Sequence, residues 1–149
     1  MAELLKILNL EIKRVGIYVE KTNQAANEIA RASANSPSQS GDREHSRNQA
    51  IITKEKFEKL EKLKNEVKEA LSKEVSTKVV IPCFVEVKYS SGVTDSFYLV
   101  KNPTFLANAK IVSSESPLGK ALLGKSANEP FAFKTNEKTQ ISGSVVSMI

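Results

Sequence analysis

The stretch Asn35-Ser-Pro-Ser-Gln-Ser-Gly-Asp-Arg-Glu-His-Ser46 decides the architecture of the first half of the chain. It is rich in serine and contains Pro37 and Gly41, residue types that end a helix and let the chain reverse its direction. We therefore predict that residues 35–46 are not helical and form the tip between two long helices. Asp42 and Glu44 lie in this stretch, so a helical hairpin would carry two carboxylates at its far end.

The segment before the tip has the apolar repeat of an amphipathic helix. Its core positions are spaced alternately three and four residues apart, which aligns them on one side of a helix. They are Leu5, Leu8, Ile12, Val15, Val19, Thr22, Ala26 and Ile29, and all except Thr22 are apolar. We predict one long helix over residues 1–34, with Leu4, Tyr18 and Ala25 widening the apolar stripe.

The segment after the tip repeats this pattern among lysines and glutamates, which are strong helix formers. Its apolar positions are Phe57, Leu60, Leu63, Val67, Ala70 and Leu71. Because neither helix can bury its stripe alone, we predict that residues 1–77 form an antiparallel coiled-coil hairpin, with each helix roughly 45 Å long. Association of several chains into a bundle would satisfy the same pattern.

The apolar pattern changes from helical to alternating near residue 78. Strands are predicted where β-branched and aromatic residues cluster, with a Ser90-Ser-Gly92 turn between the first two. They cover residues 79–89, 96–100, 109–113, 130–134 and 139–148. The sequence thus predicts an α+β protein in which residues 78–149 form a small antiparallel sheet domain with one short helix.

The boundaries of that short helix are set by three residues. Ser116 is a good N-cap, Pro117 suits the first helical position, and Gly124 can end the helix in the left-handed conformation. Residues 119–126 also match the phosphate-loop pattern G-x-x-x-x-G-K-[ST]. A phosphate loop must keep its backbone amides free and open into a helix near its lysine, whereas here the interior of the pattern is itself helix-forming. Nucleotide hydrolysis is therefore not predicted.

Charge and composition narrow the classes of function. The net charge of +5 favours an anionic partner such as nucleic acid. His45 is the only histidine, so there is no histidine cluster for zinc or for a His-based nucleophilic triad. Cys83 lies among apolar strand residues, which predicts a buried and unreactive thiol. The chain has no run of about 20 apolar residues and no secretory signal, so we expect a cytoplasmic protein without a membrane partner.

The run Ser113-Ser-Glu-Ser-Pro-Leu-Gly-Lys-Ala-Leu-Leu-Gly-Lys125 resembles the signature of the GreA/GreB family of bacterial transcription elongation factors. The order of helix, tip with Gly41-Asp42, helix and sheet domain is also similar to that family. The resemblance implies an FKBP-like fold for the sheet domain and a factor that is not an enzyme by itself. It implies that the globular domain binds RNA polymerase, with the candidate contacts Ser116, Pro117, Leu118, Gly119 and Lys120, while the coiled coil enters the secondary channel.

The resemblance also implies a role for the tip in cleavage of backtracked RNA. Two metal ions can hold the attacking water and the leaving oxygen in line, and magnesium prefers oxygen ligands. Asp42 matches the aspartate after glycine in the family's tip motif. Glu44 stands one residue before the second acidic position, which His45 occupies here. We expect Asp42 and Glu44 to support a second Mg²⁺ of the polymerase, and Arg43, His45 and Arg47 to contact nascent RNA or polymerase.

Three other interpretations follow from the same residues. Because the second acid is displaced, a Gre-like regulator that occupies the channel without stimulating cleavage is the alternative. The second interpretation is an FKBP-like prolyl isomerase. Its active site would need a pocket of aromatic side chains, and the composition argues against this because the chain has no tryptophan and few other aromatics. A self-associating coiled coil is the third, although a hairpin that contains both helices is expected to be monomeric. Asp42 is also a suitable N-cap, and Glu44 suits a first helical turn without any metal.

Overall fold

The computed structural model describes residues 1–32, 40–72, 76–135 and 139–149. Within these residues it contains three helices and five strands, in an α+β arrangement. The elements are α1 (Ala2–Ala32), α2 (Ser40–Leu71), β1 (Cys83–Tyr89), β2 (Thr94–Val100), β3 (Ile111–Ser113), α3 (Pro117–Leu122), β4 (Pro130–Lys134) and β5 (Gln140–Met148).

Helices α1 and α2 pack side by side in antiparallel directions. Glu11 of α1 pairs with Lys56 of α2, and nearer the tip Asn27 and Arg47 line the same groove. The predicted stripe faces the partner helix, since Leu8, Ile12 and Val15 are buried. Tyr18 and Ala25 do not widen it, because both side chains are exposed. A single partner helix covers only the narrow seam of a coiled coil, so residues beside that seam remain in solvent.

Part of the predicted tip is helical in the structure. Residues 35–39 lie outside the described residues, but α2 already begins at Ser40. Residues 40–46, including Asp42 and Glu44, are therefore helical and not part of a turn. Serine and aspartate are favoured at the start of a helix, and the Arg43-Glu44-His45 run that follows contains no residue that would break one.

The base of the hairpin shares its core with the sheet domain. Leu4 and Leu8 of α1 and Val67 of α2 are fully buried together with Val100, the last residue of β2. Leu106, from the loop after β2, completes this cluster. The hairpin and the sheet domain are thus joined by a continuous apolar interface at this end.

Burial decreases along the hairpin from the base toward the tip. Val19, Thr22, Ala26 and Ile29 continue the stripe of α1 but are only half-buried. In the facing part of α2, Ala50 is the one buried apolar residue among those described between residues 41 and 53, and it is still 9% exposed. The far end of the rod therefore has a thinner core than its base.

The five strands form one sheet in the order β3-β2-β1-β5-β4. Three of the pairings are antiparallel, as predicted, but β2 and β3 are parallel, with Tyr98 opposite Ile111. The sheet is therefore antiparallel, as predicted, except at this one pair. Residues 101–110 carry the chain back along the sheet while Leu106 is held in the hairpin core, so β3 starts beside the middle of β2 and runs in the same direction.

A second apolar core lies on the face of the sheet that α3 covers. Val85, Phe97, Phe131 and Val145 point into it from four strands, and Leu122 of α3 fills it from above. Cys83 is buried in the same cluster, as the sequence predicted. None of the helices among the described residues is long and apolar enough to cross a membrane.

Candidate functional site

The tip residues singled out by sequence all lie in the first two turns of α2. Asp42, Glu44, His45 and Arg47 are exposed, and Arg43 is half-buried. Asp42 stands in the first turn, where the helix dipole favours a negative charge. The helix start therefore presents carboxylates and cations to solvent within a short length of backbone.

The two carboxylates do not face the same direction. Asp42 and Glu44 are two residues apart in one helix, which separates their side chains by about 160° around the helix axis. Only residues three or four apart share a helix face, so Asp42 shares its face with His45, and Glu44 shares its face with Arg47. Among the described residues there is no group of three or more histidine, cysteine or acidic side chains placed to hold a metal ion.

A flank of the distal hairpin collects polar and basic side chains that sequence reasoning had not connected. Arg47 and Lys54 of α2 line a groove of about 410 Å³ together with Asn23 and Asn27 of α1. Arg43 lines the adjoining cleft beside Arg47, and the carboxylate residue Glu44 lines it as well. The spacing of Arg43, Arg47 and Lys54 places them along one side of α2, a signal that the sequence contains. Guanidinium and ammonium groups at this spacing suit the oxygens of a phosphate chain.

The capped start of α3 lies within the run that resembles the family signature. The hydroxyl of Ser116 accepts a hydrogen bond from the backbone N–H of Gly119 at 3.0 Å and donates one to the carbonyl oxygen of Ser113 at 2.7 Å. Pro117 and Lys120 are exposed, and Leu118 is half-buried against the second core. Gly119 is buried, so this residue packs within the domain and is not itself available to a partner.

The literal phosphate-loop match has the wrong structure for nucleotide binding. The pattern of residues 119–126 contains the end of α3 and does not open into a helix at its lysine. The Lys125 ammonium pairs with the Glu129 carboxylate at 2.7 Å, and the Lys125 carbonyl oxygen accepts a hydrogen bond from Val79 N–H. The hydrogen bonds from the Lys125 side chain and the Ser126 backbone lower the pKa of Glu129. Lys125 thus stabilises the turn between α3 and β4.

Comparison with known protein families identifies the sheet domain. The family described as "Transcription elongation factor, GreA/GreB, C-term" matches residues 74–148. The matched segment includes every strand of the sheet and α3, and it ends at the last residue of β5. The chain belongs to the GreA/GreB family of transcription elongation factors.

Several solved structures resemble the chain at low sequence identity. Gfh1 from Thermus aquaticus is 20% identical, with a TM-score of 0.42, and the match covers 91% of this chain and 92% of that one. Gfh1 from Thermus thermophilus is also 20% identical, with a TM-score of 0.39 over 97% and 94% of the two chains. A GreA/GreB factor from Nitrosomonas europaea is 17% identical, with a TM-score of 0.40 over 56% and 75%. A search of curated protein sequences gave no match. Because these similarities are weak, the family assignment rests on residues 74–148.

Proposed function

We propose that this protein binds RNA polymerase and inserts its helical hairpin into the secondary channel, where the tip reaches the active centre. One observation carries the proposal: a two-helix rod, whose α2 is roughly 48 Å long, is fixed at its base to a GreA/GreB domain and bears Asp42 at its far end. A long rod with a charged end is suited to act at a distance from the domain that anchors it. Membership of an elongation-factor family supports RNA polymerase as the partner.

In this proposal the tip stimulates cleavage of backtracked RNA by the polymerase. Mg²⁺, when bound, would stabilise the charge that develops on the attacking and leaving oxygens of the phosphodiester. Asp42 fits such an ion, because it is exposed and Mg²⁺ commonly takes only one or two carboxylates from protein. Glu44 was expected to share the role, but it lies on another face of α2 and does not fit the same ion as Asp42. The ion would be held mainly by the polymerase.

The basic flank of the distal hairpin supports a second contact of the same complex. Arg43, Arg47 and Lys54 would pair with phosphates of nascent RNA or with acidic residues of the channel wall, and His45 stands beside Asp42 on its face. Pro117, Leu118 and Lys120 would contribute the polymerase contact of the globular domain, and Ser116 and Gly119 would hold that surface in shape. The protein itself would perform no chemistry and would act as a cytoplasmic monomer, which sedimentation of the isolated protein tests.

A second function is favoured by the separation of the two tip acids. If a pair of converging carboxylates is needed for cleavage, Asp42 and Glu44 do not form it, because they point about 160° apart around α2. The protein would then be a regulator that occupies the channel and slows or modulates elongation. The same rod, anchor and partner serve both functions.

An RNA cleavage assay on a stalled, backtracked complex of the cognate polymerase separates the two. Asp42→Asn removes the proposed ligand, and Glu44→Gln is the matched control with the same loss of charge two residues further along α2. If wild type and Glu44→Gln stimulate RNA cleavage and Asp42→Asn does not, the result supports the assisted-cleavage function. If wild type and both variants bind the polymerase but none of them stimulates cleavage, the protein is the channel-occupying regulator. A wild-type protein that does not bind the polymerase would overturn both.

A further inference from the structure

One acidic residue of α2 connects the hairpin directly to the backbone of the sheet domain. The carboxylate of Glu66 accepts hydrogen bonds from Lys101 N–H at 2.6 Å and from Asn102 N–H at 3.0 Å. The Asn102 side-chain amide donates a third bond to it at 2.9 Å. Hydrogen bonds to an ionised acceptor are short and roughly twice as strong as neutral ones, so this contact is a strong and directional one.

The position of these three hydrogen-bond donors allows them to restrain the orientation of α2. Lys101 and Asn102 follow Val100 directly, and Val100 is buried in the core that the hairpin base shares with the sheet. The apolar contacts around Val100 hold the two parts together but are not directional. The three hydrogen bonds to Glu66 add direction, because a rotation or tilt of α2 would break their alignment.

The interface between the hairpin and the sheet domain has an open cleft beyond Glu66. Ala70, one turn further along α2, and Leu71 line a cleft of about 380 Å³. Val80, Ile81 and Pro82, which lead into β1, line its other side. The last turn of α2 thus borders open space where a tightly packed interface would resist a tilt.

We propose that Glu66 is a positioning residue that sets the tilt of the helical hairpin on the sheet domain. The inference about tilt concerns the free protein, and its consequence for the aim of the tip rests on the proposed function. Asp42 lies 24 residues from Glu66 along α2, about 36 Å, so a tilt of roughly 10° moves the tip by about 6 Å. A displacement of that size exceeds the tolerance of a metal ligand or a phosphate contact.

Pulsed electron paramagnetic resonance on the full-length protein tests the tilt. Spin labels are attached at Asn48→Cys near the tip and Ala127→Cys on the sheet domain, two exposed positions. Native Cys83 is buried and stays unlabelled. Glu66→Ala is expected to shift or widen the distance distribution by several ångströms. Glu69→Ala, an exposed glutamate of the same helix, is the matched control and is expected to leave it unchanged. An unchanged distribution in folded Glu66→Ala overturns the proposal.

A milder variant keeps the test decisive if Glu66→Ala does not fold. Asn102→Ala removes one of the three hydrogen bonds and leaves the carboxylate and the two backbone donors in place. Asn102→Ala is expected to shift or widen the distance distribution as Glu66→Ala does, but by a smaller amount. An unchanged distribution again overturns the proposal.

Polymerase assays then test the consequence for function separately. Glu66→Ala is expected to bind polymerase through the globular domain and to lose the effect of the tip on RNA cleavage or elongation, while Glu69→Ala keeps it. A shifted distance with an unchanged effect on polymerase overturns the positioning role. Failure of the wild-type protein to bind polymerase would instead overturn the proposed function and leave the distance result standing.

Discussion

Gly119 packs directly against the carbonyl oxygen of Ser113, so closely that a side chain at residue 119 would overlap it. A Cβ atom there would also stand 2.8 Å from the Cα and 2.9 Å from the carbonyl carbon of Ser114. These neighbours are backbone atoms and cannot rotate away. The glycine therefore lets α3 begin immediately beside the turn that precedes it.

Gly119→Ala is expected to lower the free energy of unfolding by about 1–3 kcal/mol, or more, because the extra methyl group overpacks a backbone contact. Urea denaturation followed by circular dichroism measures the loss. Gly41→Ala is the control, since a Cβ at residue 41 meets no atom within 4 Å. Equal stability of Gly119→Ala and wild type would contradict the close packing of α3.

Gly16→Ala is expected to have the opposite sign. Gly16 lies inside α1, and a Cβ there would make an ordinary contact of 3.5 Å with the Phe57 ring. Alanine costs less backbone entropy in a helix, so the hairpin should gain about 0.5–1 kcal/mol. Thermal melting of the two proteins checks this. Gly124→Ala is the contrasting variant: residue 124 has a φ of 76°, so a side chain there should destabilise the protein. If Gly16→Ala were less stable than wild type, α1 and α2 would already be in tight contact at this position.

An acidic residue between the two long helices predicts a pH dependence of stability. Arg14 donates a hydrogen bond to Glu11 at 2.8 Å, and Lys56 of the facing helix donates another at 3.0 Å. These bonds, of which the Arg14 bond is the larger cause, lower the pKa of Glu11 below its ordinary value. Because the folded-state pKa is the lower one, the stabilising contribution is complete above the unfolded-state pKa and is lost as the pH falls through the folded-state pKa.

Glu11→Gln is therefore expected to be less stable than wild type at pH 7 by up to about 1 kcal/mol, the range of partly exposed ion pairs. The difference should shrink as the pH falls below the ordinary glutamate value of about 4.3. Chemical denaturation at pH 7 and at pH 3 measures both values. A double-mutant cycle with Lys56→Met isolates the link between the helices, and a difference that persists unchanged at pH 3 would rule out the carboxylate as its source.

The single thiol is expected to be inert while the protein is folded. Burial raises the pKa of Cys83 to about 11, so little thiolate is present at pH 8 and reagents cannot reach the sulfur. Alkylation by iodoacetamide, followed by mass spectrometry, should be slow in buffer and rapid in urea. Ser91→Cys adds an exposed thiol as the reactive control. Fast modification of Cys83 in the folded protein would show that the β1 end of the domain opens readily.

Much of the fold was predictable because its signals are local. The alternating three- and four-residue spacing of Leu8, Ile12 and Val15 indicated the face that α1 buries, and the cap at Ser116 marked the start of α3 to the residue. Both depend on residues within one or two turns of each other. The side-chain chemistry alone was sufficient in these places.

The remaining features depend on contacts between segments far apart in sequence. The parallel pairing of β2 with β3 follows from where Leu106 is held, and the bond between Glu66 and Lys101 joins residues 35 positions apart. Glu66 looked like any other acidic residue on the solvent side of a helix. Serine, proline and glycine indicated that the chain reverses its direction between the two long helices, which pack antiparallel, but these residues could not show that the second helix begins before Asp42 rather than after it.

Because burial decreases along the hairpin, we expect its two halves to differ in local stability. Amides near Leu8 and Leu63 lie over fully buried side chains, so we expect them to exchange with solvent deuterium only when the whole domain unfolds. Amides near Ala26 lie over a half-buried seam and should exchange through local opening. We therefore expect the half near the base to keep its direction, and the distal half to adjust its packing against any surface that confines it.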